Sequence, residues 1–411
     1  MNNRLIKTAL RNISRNKRRS ILSAVAIGVA AMSIVFLFAI IAGMSDDMAA
    51  NLKTYYTGSI QIKHKDYEEF ERYNPIHLTI DKEAISKIVA SNPDVDAWVP
   101  RNTFPSSIYI GGANFGAIGV GADFEMEKGF QDFTEIVKEG RLPENGKNEM
   151  LMGAVLAKDL KLKLGDKVTI ISTTAARGNN AITLEIVGLA GFPVGNLNSS
   201  YFWIPLDRSQ YFLRMDGHVQ NILVNVKADV DERKVAAALT AAIKAETGVE
   251  VDARSWEDLS TTYGLIKMAQ AAYNIMAFVF FLLGSTVIIN TTMMVIFERM
   301  REIGTLGALG MHGKELVRLF FLEGAFISAI GSFIGVVLGV AGVMVLSRVG
   351  IDFTDAMSGM DFEISSILYP RLRWITVLIV FIYSVVVASL ATLIPSRKAA
   401  KIQPVEALRY I

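Results

Sequence analysis

The residues of this chain whose types and spacing suit chemistry form a charged, glycine-punctuated run, Glu298-Arg299-Met300-Arg301-Glu302-Ile303-Gly304-Thr305-Leu306-Gly307-Ala308-Leu309-Gly310. Met300, Ile303, Leu306 and Leu309 recur every third residue, close to one face of a short helix. Glu298, Arg299, Arg301 and Glu302 gather at its start. Gly310 supplies a stop, and Lys314 to Arg318 opens the next element. Charges of both signs on a short amphipathic helix suit charge-assisted docking of a soluble protein. The plainer reading is an interfacial spacer with no partner.

Other chemistry is missing. No phosphate-cradling GxxxxGK[ST] loop occurs, so the chain is expected not to hydrolyse ATP by that route and not to be an enzyme. The histidines His64, His77, His218 and His312 lie far apart and lack metal-ligand spacing. There is no cysteine, which excludes disulfides, thiolate metal sites and cysteine nucleophiles. A net charge of +2 gives no electrostatic support to a nucleic-acid partner. Gly111-Gly112 and the Gly116–Gly121 stretch sit among strand-forming residues, where turns and bulges explain them. Asn198-Ser199-Ser200 fits a glycosylation triplet of a kind that chance often produces.

The elements that must position the charged run are membrane helices. Half of the chain (51%) is hydrophobic and 20% is charged, unusual for a soluble protein of this length. The apolar residues concentrate in four blocks, Ile21–Gly43, Ile275–Phe297, Leu319–Leu346 and Trp374–Ile394, each long enough to span a bilayer. The first is longer than a signal-peptide core and no convincing small-x-small cleavage site follows it, so it reads as a retained span. Residues 1–20 carry Arg4, Lys7, Arg11, Arg15, Lys17, Arg18 and Arg19 with no acid, and residues 395–411 are also basic. Residues 347–373 are balanced to slightly acidic, with Asp352, Asp355, Asp361 and Glu363. This asymmetry predicts that both termini and residues 298–318 are cytoplasmic and that residues 44–271 lie outside.

The exterior segment reads as an α+β domain. Ser59–Lys63, Lys167–Ile171 and Ile222–Val226 alternate as strands, while Asp81–Ala90, Ala154–Leu160 and Asp231–Glu246 have helical patterning. Its ends read as stalks. Ser255 with Asp258 caps a helix whose face carries Trp256, Leu259, Tyr263 and Ile266 and which is expected to run into the second span. Met44, Met48 and Leu52 continue the first span outward. These stripes could pack within the chain, face a second copy or line a substrate path. In the third span Gly331, Gly335 and Gly339 repeat every four residues, a spacing that lets helix backbones approach. Ser285, Asn290, Thr291 and Thr292 could hydrogen-bond between helices, and Glu323 is costly to leave facing lipid, so it is expected to snorkel to the interface or to pair with a basic residue.

Three motifs resemble the FtsX-like family, the membrane permeases of ABC transporters. They are Ala9–Ile13 through Lys17–Ser20, then Glu298–Gly304 through Gly310 with Phe321–Gly324, then Pro395–Lys401 with Pro404–Arg409. Within the family, Gly140–Pro143, Met152–Ala157, Leu164–Val168, Ile186–Gly188, Ser200-Tyr201 and Ile204–Leu206 are most similar to the lipoprotein-releasing type. The resemblance implies four transmembrane helices with a large periplasmic α+β domain between the first and second, in a bacterial inner membrane. It implies an ATPase dimer that binds ATP and Mg, docks on the Glu298–Gly310 helix and drives mechanotransmission, and a second permease copy or paralogue. This chain itself would hold no cofactor or metal. The implied task is release of lipoproteins or another amphiphile, with a periplasmic carrier. The stretch matching the carrier-recruiting hairpin, Thr173–Thr183, is short and has no proline. Export of a macrolide, peptide or toxin through an outer-membrane duct, or substrate-free control of a cell-wall hydrolase, are the family's other tasks.

Overall fold

The computed structural model describes residues 2–15, 17–70, 75–298, 300–308, 310–353 and 364–400. In chain order, α1 (Asn2–Arg15) and α2 (Lys17–Asn51) lead into a π-helical turn at Leu52–Tyr56. Next come β1 (Ile60–His64), β2 (Ile80–Asp81), α3 (Lys82–Ser91), β3 (Val95–Ile110), β4 (Ala113–Ala122) and α4 (Phe124–Glu127). They are followed by β5 (Val137–Gly140), β6 (Glu149–Gly153), α5 (Ala154–Asp159), β7 (Lys167–Thr173), β8 (Asn179–Ala190) and α6 (Gly195–Ser200). Then come β9 (Tyr201–Pro205), α7 (Leu206–Leu213), β10 (His218–Val219), β11 (Asn221–Val226), α8 (Glu232–Thr247), β12 (Val251–Ser255) and α9 (Trp256–Leu259). The helices α10 (Thr261–Glu298), α11 (Met300–Ala308), α12 (Gly313–Val349), α13 (Trp374–Ala391) and α14 (Leu393–Ala399) follow.

These elements form two units: Met1–Ser45 with Ile266–Ile351 and Leu368–Ile411, and Asp46–Leu265 with Asp352–Ile367. The second is built on a ten-stranded sheet ordered β12-β1-β11-β3-β4-β9-β6-β8-β5, with β7 bridging β3 and β8. Most neighbours are antiparallel, but β4 pairs β9 and β6 pairs β8 in parallel. One core gathers Phe104, Ile108, Met150, Ile170, Leu184, Phe202 and Phe212. A second packs α3 and α8 on the sheet through Ile60, Ile62, Ile85, Val224, Leu239 and Ile243. Asp81 and Asp231 are the caps of α3 and α8 rather than their first residues, each side chain accepting backbone N–H bonds from the first turn. Gly111 and Gly112 make the β3–β4 turn, with φ of +56° and +88° that glycine adopts without a Cβ clash.

The expected unbroken helix from Ser255 into the second span is corrected. α9 ends at Leu259, Ser260 is extended (φ −90°, ψ 109°), and α10 starts afresh at Thr261. The reason is local: Ser260 Oγ accepts the Tyr263 N–H at 3.0 Å and so caps the new helix.

Among the described residues, four helices are long and apolar enough to cross a membrane: Ser20–Tyr56, Ala271–Glu298, Gly313–Val349 and Trp374–Lys398. α2 crosses α12 backbone to backbone. A Cβ on Gly335 would lie 2.0 Å from the Gly28 carbonyl oxygen, one on Gly331 2.4 Å from that of Ala24, and one on Gly339 3.1 Å from the Val35 Cβ. α12 meets α13 through buried hydroxyls, Ser384 Oγ donating to Ser332 Oγ at 2.7 Å and Ser328 Oγ lying 3.3 Å from Ser389 Oγ. Such bonds satisfy polar groups that lipid could not. Glu323 meets α1, where Asn12 Nδ2 donates to its Oε1. Ser285 is buried and Asn290 is exposed.

Candidate functional site

The short helix α11 is held by an apolar cluster and displays a polar face. Met300 and Ile303 are buried with Ile296 from the end of α10 and with Leu316 and Phe320 from the start of α12; Met311 packs on them. Gly304 is buried beside Ile303, while Arg301, Thr305 and Ala308 are exposed. Buried positions at 300, 303 and 304 against exposed ones at 301, 305 and 308 are the two sides of one short helix. Thr305 Oγ1 donates to the Arg301 carbonyl at 2.8 Å, one turn back. The helix ends before Gly310, which takes φ +97°, a conformation that costs little only for glycine. The next helix is capped at once: the His312 N–H donates to Glu315 Oε2 at 3.2 Å.

Of the residues expected at this site, Glu298 is exposed at the end of α10, Arg301 is exposed on α11, and Gly310 is exposed in the turn. Ile303 packs in the apolar cluster and Gly304 is buried next to it in sequence. Glu302 belongs to α11, and Arg299 and Leu309 lie outside the described residues. The surface therefore offers a cation, a hydroxyl and small residues on a rigid support. Among the described residues, no group of side chains could hold a metal ion.

The second expected set differs in burial from one member to the next. Met48 is fully buried and Trp256 is 5% exposed, so neither presents an open lining. The Trp256 and Tyr263 rings pack 4.5 Å apart across the Ser260 break, and Met44 and Leu259 are half-buried. Ile266 belongs to α10. Sequence reasoning missed the clamp on the π-helical turn. Arg101 makes a bidentate pair with Glu127 at 2.6 and 2.7 Å and donates from Nη1 to the Tyr55 carbonyl at 2.6 Å. Lys53 Nζ binds Glu232 at 2.5 Å and lies 5.1 Å from the Trp256 ring centre. The signal was an isolated arginine inside an apolar strand run, Val99-Pro100-Arg101.

A second apolar feature lies along the α2–α12 crossing, a groove of about 310 Å³ lined by Val25, Gly28, Val29, Gly331, Ile334 and Leu338 among others. Among the described residues, no polar side chain lines it.

Comparison with known proteins bears on both features. A family described as "MacB-like periplasmic core domain" matches residues 20–242, and one described as "FtsX-like permease C-terminal" matches residues 274–404. An uncharacterized ABC transporter permease of Methanocaldococcus jannaschii is 23% identical over 98% of this chain and 97% of its own. The macrolide export ATP-binding/permease protein MacB of Vibrio parahaemolyticus is 23% identical over 98% of this chain, which spans only 59% of that protein. The lipoprotein-releasing system transmembrane protein LolC of Neisseria meningitidis is 26% identical over 64% of this chain and 66% of its own. Among solved structures, the periplasmic region of MacB from Actinobacillus actinomycetemcomitans covers 49% of this chain and 91% of its own at 14% identity and a TM-score of 0.36.

Proposed function

Because the chain belongs to the FtsX-like family of ABC transporter permeases, we propose that it is the membrane half of a transporter driven by ATP hydrolysis on a separate ATPase, which binds the ATP and Mg. In this reading α2, α10, α12 and α13 are four spans of a bacterial inner membrane, both termini and α11 are cytoplasmic, and the mixed unit is periplasmic. The carrying observation is the division of α11 into a buried apolar side and an exposed Arg301–Thr305–Ala308 side. A push on that exposed side meets a helix seated on the ends of α10 and α12 and so moves both. A second permease copy or paralogue would cover α10, which in the single chain exposes Ile275, Phe278, Leu282 and Leu283. The test is co-expression with the cognate ATPase. Arg301→Glu and Gly304→Leu should leave membrane insertion intact and lower ATPase co-purification and transport together. Full transport by both variants would leave α11 a spacer.

For the substrate, the proposal is a lipid-anchored protein released from the outer leaflet. Each CH₂ anchors by about 0.8 kcal/mol, so extraction calls for both force and an apolar shelter. The groove along α2 and α12 has that lining. Depleting the protein should strand lipoproteins in the inner membrane, and photo-crosslinkers at Val29 or Ile334 should capture them. The second reading, export of a macrolide-like amphiphile, is favoured by the MacB-like match over residues 20–242. Sensitivity to such a compound with lipoprotein sorting intact would replace the first reading by the second.

A further inference from the structure

The geometry points to α1 as a docking surface for anionic phospholipid headgroups. Ala9 of this helix is fully buried, and Leu5, Ile6, Asn12 and Ile13 are half-buried. Lys7, Arg11 and Arg15 follow one another at intervals of four and are all exposed. At roughly 100° per residue, three positions four apart fall within about 80° of arc, so the cations form one stripe. Leu10 is 45% exposed at the edge of that stripe, an apolar side chain beside the charges. Lys17 and Arg18, at the start of α2, are exposed as well.

Two contacts fix the level of the stripe. Asn12 donates to Glu323, which lies in the first third of α12, next to Gly324 and just before its long apolar run. Ser20 Oγ donates to the Ile13 carbonyl at 3.4 Å, tying the end of α1 to the first residue of the apolar span. In the four-span reading, on which this inference rests, α1 therefore lies at the border of the hydrocarbon, where phosphates are found. The chain has no acidic residue before Asp46. A row of basic side chains with an apolar neighbour at that depth matches a surface of anionic headgroups over acyl chains. An acidic protein face would need no exposed leucine at the headgroup level. Through Asn12 and Glu323, the occupancy of this surface bears on the same helix, α12, that seats α11.

The chain has no cysteine, so Ser14→Cys gives one labelling site on the exposed side of α1. The labelled full-length protein is reconstituted in phosphatidylcholine vesicles with increasing phosphatidylglycerol, up to about one-third of the lipid, and label mobility is followed. The expected result is a saturable loss of mobility with phosphatidylglycerol and none with phosphatidylcholine alone. Lys7→Gln/Arg11→Gln/Arg15→Gln should shift the midpoint by at least about tenfold, and raised salt should shift it the same way. The charge-keeping Lys7→Arg/Arg11→Lys/Arg15→Lys variant should respond as the parent does, which separates loss of charge from loss of fold. An unchanged midpoint in the glutamine variant, or an equal response to inorganic phosphate alone, overturns the proposal. So does a glutamine variant that keeps the lipid response but loses ATPase co-purification, which would assign the stripe to a protein. Topology fusions placing α1 on the periplasmic side would instead sink the four-span reading, a failure distinct from these.

Discussion

Arg101 is 4% exposed and Glu127 wholly buried, so their mutual pairing is what makes either charge tolerable. Arg101→Ala strands a buried carboxylate and should cost about 3–5 kcal/mol, read as a lower unfolding temperature of the full chain in detergent. Arg101→Met/Glu127→Leu should fall much less, and a stable Arg101→Ala protein would show that the clamp bears no weight. Exposed charges behave differently. Glu250 accepts from Lys244 Nζ at 2.7 Å and from Lys65, and these hydrogen bonds hold its pKa at about 2 against an ordinary 4.5. Because the folded value is the lower one, this contribution is present above pH 4.5 and is lost as pH falls toward 2. Its exposure keeps the effect small. Glu250→Gln should slightly flatten the acid limb of a stability–pH curve and leave neutral stability nearly unchanged. Residue types told in advance that Glu323 needed company, yet not that an asparagine of the first helix would supply it. A partner more than 300 positions away leaves no local pattern.

Among the elements, those with end signals were legible. Asp81 and Asp231 announced α3 and α8, and the three-residue apolar repeat announced α11. α1 was not read as a helix because the seven cations of residues 1–20 dominate the segment and hide Leu5, Ile6, Ala9 and Ile13. The Ser260 break was hidden by an apolar stripe that continues in register across it. The sheet order was beyond the sequence too: β1 lies between β11 and β12, strands some 160 to 190 positions later, and local patterning carries no such pairing. At the α2–α12 crossing the glycine spacing was visible, but its partner Gly28 was not. The two neighbours of that crossing differ in a measurable way. Gly335→Ala must push on the Gly28 backbone, whereas Gly339→Ala meets a valine side chain that can shift. Gly335→Ala should therefore lower the thermal stability of the detergent-solubilised chain by several degrees, and Gly339→Ala by less. The reverse order would mean that the helices are not this close in the membrane.

At the scale of the whole molecule, the lysine and arginine asymmetry makes a prediction independent of any substrate. Reporter fusions after Ser20, at Gly310 and after Arg409 should report cytoplasm, and insertions at Gly146 and Ala356 should report the exterior. A cytoplasmic signal at Gly146 would end the four-span arrangement. The purified chain should hydrolyse no ATP, and turnover that survives an ATPase-dead control would reopen that expectation. The crossing of α2 and α12 has a mechanical corollary. Where two helices mesh through side chains, turning one against the other forces rotamers to jump in steps. At Gly28 and Gly335 there are no side chains to jump, so the helices can swivel about that point continuously while remaining in contact. The crossing is thus a pivot, at which the angle between α2 and α12 can change without first prying the pair apart.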